Sequence, residues 1–251
     1  MKILKKVYLF LSSIFIFLIH LPFVFAKTKP QQNFIVPVQK PFLFTANSTG
    51  TYASVFDSLK LNSLGLSRQA FDYAITGFKY LISLNKLNND EIISIVDFSL
   101  PSSKKRLFIL DLKNSKILFN TYVAHGRNSG KDFANQFSNE NESYKSSLGF
   151  YVTQDTYIGN HGFSLRLQGE EKGINDNANS RAIVMHSAWY VNENIVKSQG
   201  YIGRSQGCPA LPEELCKPII EKIKKGSCLF LYSPDKYYFS HSEILQKVQA
   251  A

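Results

Sequence analysis

The chain has 251 residues, 44% of them hydrophobic, 14% aromatic and 19% charged, and carries a formal net charge of +10. Such a composition excludes a disordered tail, a collagen-like rod and a disulfide-dense mini-protein, and the length allows one large domain with its own core. The positive charge suits anionic partners such as cell-wall polymer or lipid head groups; no dense basic run or nucleic-acid motif is present, so nucleic acid is not an expected partner.

Residues 1–26 read as a secretory signal peptide. Lys2, Lys5 and Lys6 precede an apolar run over residues 7–25, and Val24 and Ala26 hold the two positions a signal peptidase reads. An uncleaved anchor is the competing reading, because the run nearly spans a hydrocarbon layer of ~30 Å. Pro22 and the small residue at the cut favour cleavage, and no Cys lies near it for a lipid anchor. The expected location is the periplasm or cell envelope, with membrane contact only through the signal segment.

Residues 27–50 carry three prolines and little periodicity, and read as a linker. Residues 51–90 read as a helical lead-in, with helices over 52–61 and 67–84. Ser67 caps the second, where Ala70, Phe71, Ala74, Phe78 and Leu81 recur at helical spacing. From residue 91 the period changes. Strands are predicted over 92–98, 106–111, 116–123, 149–157, 163–167 and 182–185, the last ending at His186. The polar stretch 126–147 is longer than ordinary connections, so it is functional or mobile. A helix is predicted over 212–225, kinked at or starting from Pro218, which lacks an N–H. A strand over 227–232 follows. Residues 236–251 read as a poorly specified tail. The expected class is mainly β with α (α+β), with two packed sheets and flanking helices over residues 91–235.

Cys208, Cys216 and Cys228 are the only cysteines, an odd number that leaves a free thiol in an exported protein. A 216–228 bridge is not expected. At 1.5 Å per residue the predicted helix holds Cys216 roughly 10 Å or more from the strand that starts near Cys228, beyond disulfide reach of ~7 Å.

The chemistry concentrates in Ile183-Val184-Met185-His186-Ser187 and Gly203-Arg204-Ser205-Gln206-Gly207-Cys208-Pro209-Ala210. A thiol attacks a carbonyl once deprotonated, and an imidazole within reach takes the proton. Gly207 permits a tight turn whose amides can face a developing oxyanion. A buried structural Cys and a core His are the bland alternative for each residue alone. His125 and His161 also precede glycine and compete with His186 as the base. No H-E-x-x-H pair appears, so neither a metal nor another cofactor is expected.

These segments resemble the YkuD-type murein L,D-transpeptidase catalytic domain family, in a divergent branch whose motif ends Gly-Arg-Ser-x-Gly-Cys-Pro-Ala. Asp97-Phe98-Ser99-Leu100-Pro101, Val123-Ala124-His125-Gly126-Arg127, Ser146-Ser147-Leu148-Gly149-Phe150-Tyr151 and Ser164-Leu165-Arg166-Leu167 extend the likeness over roughly residues 50–235. The resemblance implies an L,D-transpeptidase-like β-sandwich and a peptidoglycan acyltransferase. Cys208 would be its nucleophile and His186 its base, oriented by the carbonyl of Ser187. The amides of Gly207 and Cys208 would line the oxyanion hole. Arg204, Ser205, Gln206, Arg166 and His161 are the candidate substrate contacts; for Arg204, a solvated loop charge is an equal alternative. Expected partners are peptidoglycan stem peptides and a wall-anchored protein. Two positions depart from the main family pattern. Gln206 stands where the family has His, and Ala210 where it has Arg or Asn. Gln206 cannot carry a proton, which leaves open a wall-binding module that has lost catalysis. Water in place of an acceptor amine would make the protein an L,D-carboxypeptidase.

Overall fold

Three strands set the centre of the molecule because every one of their residues is buried. In a computed structural model, which describes residues 50–249, these are β1 (Ile92–Asp97), β2 (Leu107–Asp111) and β8 (Cys228–Tyr232). Successive side chains of a strand point to opposite faces, so burial of both sets requires cover on both sides. The remaining strands are β3 (Lys116–Thr121), β4 (Gly149–Gly159), β5 (Gly162–Gly169), β6 (Val184–Ser187) and β7 (Ala210–Leu211). The helices are α1 (Gly50–Ser58), α2 (Arg68–Ser83), α3 (Glu193–Gln199), α4 (Glu213–Ile223), α5 (Lys236–His241) and α6 (Glu243–Gln249).

The strands join in one hydrogen-bonded order, β3-β2-β1-β8-β4-β5-β6-β7. The β1–β8 and β6–β7 pairs are parallel and the others antiparallel. The class is the expected α+β, with the strands linked edge to edge in one series where two packed sheets were anticipated. Helix α2 packs on β1 and β8, and α4 on β5 and β6. Ser67 caps α2 by accepting from the Ala70 N–H at 2.9 Å. Helix α4 begins at Glu213 and runs through Pro218. The proline is the sixth of the eleven residues of the helix, so its missing N–H forgoes one bond to the preceding turn without ending the helix. All three cysteines are free, so the absence of a 216–228 bridge agrees with the spacing argument.

One segment differs from the sequence expectation. The expected tail instead forms α5 and α6 over residues 236–249, and a buried carboxylate ties it down. Glu171 accepts from the Tyr238 hydroxyl (3.0 Å), the Ser242 hydroxyl and the Phe150 N–H (2.8 Å). Burial raises its pKa to about 7. Residues 126–147 are anchored. Ser129 and Ser146 are buried, the Ser129 hydroxyl accepts from the Ser146 N–H (2.9 Å), and the Ser102 hydroxyl donates to Asp132 (3.0 Å). The signal segment and nearly all of the linker lie outside the described residues. Among those described, no helix is long and apolar enough to cross a membrane.

Candidate active site

Strand pairing brings the two motif halves together. In the parallel β6–β7 pair His186 lies opposite Ala210, two residues beyond Cys208. Parallel neighbours sit ~4.8 Å apart, so the chain between His186 and Ala210 returns to almost its starting point. Cys208 and His186 line one cleft of about 710 Å³, together with His161, Ser205 and Gln206.

The turn carrying Cys208 is rigid for identifiable reasons. Gly207 has φ +126°, and a Cβ there would lie 2.8 Å from the Lys145 carbonyl oxygen and 3.0 Å from Ile183 Cδ1. Only glycine fits. Both polar atoms of Gly207 are held by serines. Its N–H donates to Ser205 Oγ (3.0 Å), and its carbonyl accepts from Ser146 Oγ (3.0 Å). Ser205 Oγ also donates to the Cys208 carbonyl at 2.7 Å. The Gly207 amide, expected in the oxyanion hole, is therefore already engaged by Ser205. The Cys208 N–H makes no hydrogen bond among the described residues and is the amide left for that task.

Cys208 Sγ is half-buried. It accepts weakly from the Val184 N–H at 3.5 Å and donates to the Ala182 carbonyl at 3.7 Å. Burial pushes the thiol pKa up, while the Val184 N–H and the Arg181 charge pull it back. His186 is buried, and its Nδ1 lies 2.8 Å from the Ser187 carbonyl. A carbonyl only accepts, so Nδ1 bears the proton and Nε2 keeps its lone pair. Burial lowers the His186 pKa, the Ser187 contact opposes that, and His161 adds to it. The two rings stack at 4.3 Å between centroids. Both shifts favour a neutral thiol beside a neutral imidazole.

The other candidates separate. His161 is exposed at the cleft, and its carbonyl accepts from the Ser187 hydroxyl at 3.1 Å. Arg204 is exposed and donates to the carbonyls of Arg127 (3.3 Å) and Gly130 (3.2 Å). Gln206 is exposed, and its side chain makes no hydrogen bond among the described residues. Arg166 does not line the cleft; its guanidinium lies over the Tyr157 ring at 4.3 Å. His125, the competing base, is fully buried with both nitrogens engaged. Nδ1 accepts from Arg106 (2.6 Å) and Nε2 faces the Gly130 carbonyl (3.3 Å). Burial and the Arg106 charge pull its pKa down to about 3. Arg106, also buried, is lowered to about 9 by burial.

Tyr190 and Arg181 are among the cleft residues that the sequence did not single out. Tyr190 lines the cleft, and burial raises its pKa to about 12. Arg181 also lines it, just before Ala182, which holds a left-handed φ of +52°. The sequence carried one usable signal for Arg181: a charged residue at the entry to the apolar strand that ends in His186. No group of three or more His, Cys, Asp or Glu able to hold a metal occurs among the described residues.

The family model for the L,D-transpeptidase catalytic domain matches residues 62–232. The match takes in α2, which the sequence reading had placed in the lead-in. Similar solved structures include an L,D-transpeptidase from Mycobacterium smegmatis, at 13% identity and TM-score 0.36, covering 57% of this chain and 59% of that one. The helical cell shape determining protein Pgp2 from Campylobacter jejuni is 12% identical with TM-score 0.41, covering 70% of this chain and 60% of that one. An L,D-transpeptidase from Stackebrandtia nassauensis is 14% identical with TM-score 0.34, covering 64% and 66% respectively. The chain thus spans less than two thirds of the length of each of these proteins. No curated protein matches it.

Proposed function

The chain belongs to the L,D-transpeptidase catalytic domain family, and from that premise we propose that it is an exported peptidoglycan L,D-transpeptidase acting by cysteine acyl transfer. One observation carries the reading. His186, fixed through Nδ1 on the Ser187 carbonyl at 2.8 Å, shares a cleft with Cys208 and keeps Nε2 as a proton acceptor.

The chemistry then runs through a neutral pair. As a stem tetrapeptide enters, Nε2 takes the thiol proton while Sγ bonds to the carbonyl carbon between the L-centre and the terminal D-Ala. The carbonyl oxygen gains the electron pair, and the Cys208 N–H is the donor available to it. Collapse breaks the C–N bond, and the imidazolium returns its proton to the departing D-Ala amine. The thioester is then cleaved by an amine of a second stem, which forms the cross-link and regenerates the thiol; water in its place gives L,D-carboxypeptidase activity. Cleft residues His161, Ser205, Gln206 and Arg204 are the substrate contacts in this reading, and a wall-anchored protein is a further partner. The signal-like residues 1–26 support export to the periplasm or cell envelope.

One observation favours a wall-binding module without catalysis. The Cys208 sulfur bonds to the backbone of Val184 and Ala182, and no hydrogen bond joins it to His186. Mass spectrometry of the mature protein with purified disaccharide-tetrapeptide decides between the two. Transpeptidation gives a Cys208 thioester lacking D-Ala, followed by cross-linked dimer. No adduct, or turnover that survives Cys208→Ala, overturns the enzyme reading. The same thiol is expected to be acylated by a carbapenem.

A further inference from the structure

Arg181 places a positive charge beside Cys208 that no carboxylate balances. Its guanidinium spends its donors on neutral oxygens of the facing loop. Nη1 reaches the Ser138 carbonyl (2.8 Å) and Ser147 Oγ (2.5 Å); Nη2 reaches Ser143 Oγ (3.1 Å) and the Lys145 carbonyl (2.7 Å). It forms no ion pair among the described residues. The group is half-buried, so solvent screens it less than an exposed arginine. Its Nη2 lies 3.5 Å from where a Cβ of Gly207 would be, which puts the charge at the edge of the Cys208 turn. Arg204, the arginine inside the motif, is exposed, and two loop carbonyls hold it.

The thiol needs such a neighbour. In the neutral state Sγ donates to the Ala182 carbonyl. Once the proton leaves, the same carbonyl dipole faces an anion. The Val184 N–H supplies one compensating contact. Gln206 adds no charge.

We propose that Arg181 is a positioning residue for Cys208, holding residues 138–147 against the turn and supplying the positive charge that stabilises the sulfur as it ionises. The inference rests on Cys208 being the nucleophile. The titratable and charged groups facing the cleft are Glu142 and Tyr144 of the long loop, Tyr157 and His161 of the β4–β5 hairpin, Arg181 and His186 around β6, and Tyr190 and Arg204 beyond it. Arg181 is the one whose electrostatic pull on the Cys208 thiol favours its ionised form.

The test measures the rate of Cys208 alkylation by iodoacetamide against pH, read by peptide mass spectrometry on the full mature chain. Arg181→Met and Arg181→Gln should raise the midpoint by about one pH unit or more, a roughly ten-fold slower reaction at pH 7. Gln keeps donors for the loop, so the charge is tested even if the Met variant does not fold. Arg181→Lys should hold the midpoint near that of wild type. Ser143→Ala with Ser147→Ala removes loop contacts but not charge; it should lower thermal stability and leave the midpoint in place. Equal midpoints in wild type, Met and Gln variants overturn the proposal. Failure of the nucleophile reading shows differently, as stem-peptide turnover surviving Cys208→Ala, a result no Arg181 variant produces.

Discussion

Two buried histidines in one fold are both neutral, yet they differ in how many ring nitrogens their surroundings engage. His125 sits beneath the long loop with both ring nitrogens spoken for, one by Arg106 and the other by the Gly130 carbonyl. His186 spends a single nitrogen on the backbone and opens the other side of its ring to the cleft. Burial keeps both neutral, so burial alone does not mark a base. What separates them is one uncommitted lone pair next to an open cleft. The His125 block has structural work nonetheless. Its own carbonyl accepts from the Ser205 N–H at 2.9 Å, so the histidine that cannot act as base sets the backbone of the turn beside the thiol.

The largest effect expected from breaking this contrast is in His186→Gln. Loss of a general base should lower kcat/KM on a stem peptide by about 10²–10⁴-fold with little change in melting temperature. His125→Gln should do the reverse, costing roughly 1–3 kcal/mol of stability by disturbing the partners of the ring, the Arg106 donor and the Gly130 carbonyl, while turnover per folded molecule falls far less. A denaturant titration beside a rate measurement tells them apart; if the two variants lose activity alike at unchanged stability, the contrast is wrong. Gly207→Ala comes next. The left-handed backbone and the 2.8 Å approach to the Lys145 carbonyl predict a cost of about 1–3 kcal/mol and slower acylation through a displaced Cys208.

Acid sharpens the comparison further. His125 is neutral when folded, down to about pH 3, but takes up a proton when unfolded below about 6.5. The unfolded state therefore binds more protons in that window, and stability declines as pH falls through it, by up to about 1.4 kcal/mol per pH unit. Glu171, raised to about 7, acts in the opposite direction between its ordinary value and neutrality. The histidine's share is read as the difference between wild type and His125→Gln in urea titrations from pH 7 to 4. For activity, the lowered His186 pKa keeps the base neutral to lower pH, so the acidic limb of kcat/KM should fall below the ordinary imidazole range. The smallest effect belongs to Arg166→Ala. It removes an exposed contact on Tyr157 and should change stability by about 0.5–1 kcal/mol and turnover hardly at all.

Much of this arrangement could be read before any coordinates. The apolar run ending at His186 and the Gly-Cys turn pointed to one locality, and strand period located the central strands. Three features could not be read. The parallel β6–β7 pairing involves a two-residue strand, too short to leave a periodic trace. The order of the long loop depends on serine hydroxyls and on Arg181, whose partners lie 34 to 43 residues away, so no local pattern announces them. Helices α5 and α6 depend on the buried carboxylate of Glu171, which in sequence is one acid within a polar stretch.

The Ser205 hydroxyl closes a small ring, receiving the N–H of Gly207 and giving its own hydrogen to the carbonyl of Cys208. The backbone of residue 206 is part of that ring, but its side chain contributes nothing to it. The frame that aims the sulfur is thus independent of whichever side chain projects from position 206 into the opening. Exchanging the side chain there for an imidazole or a smaller group therefore leaves the hydrogen bonds of the turn in place.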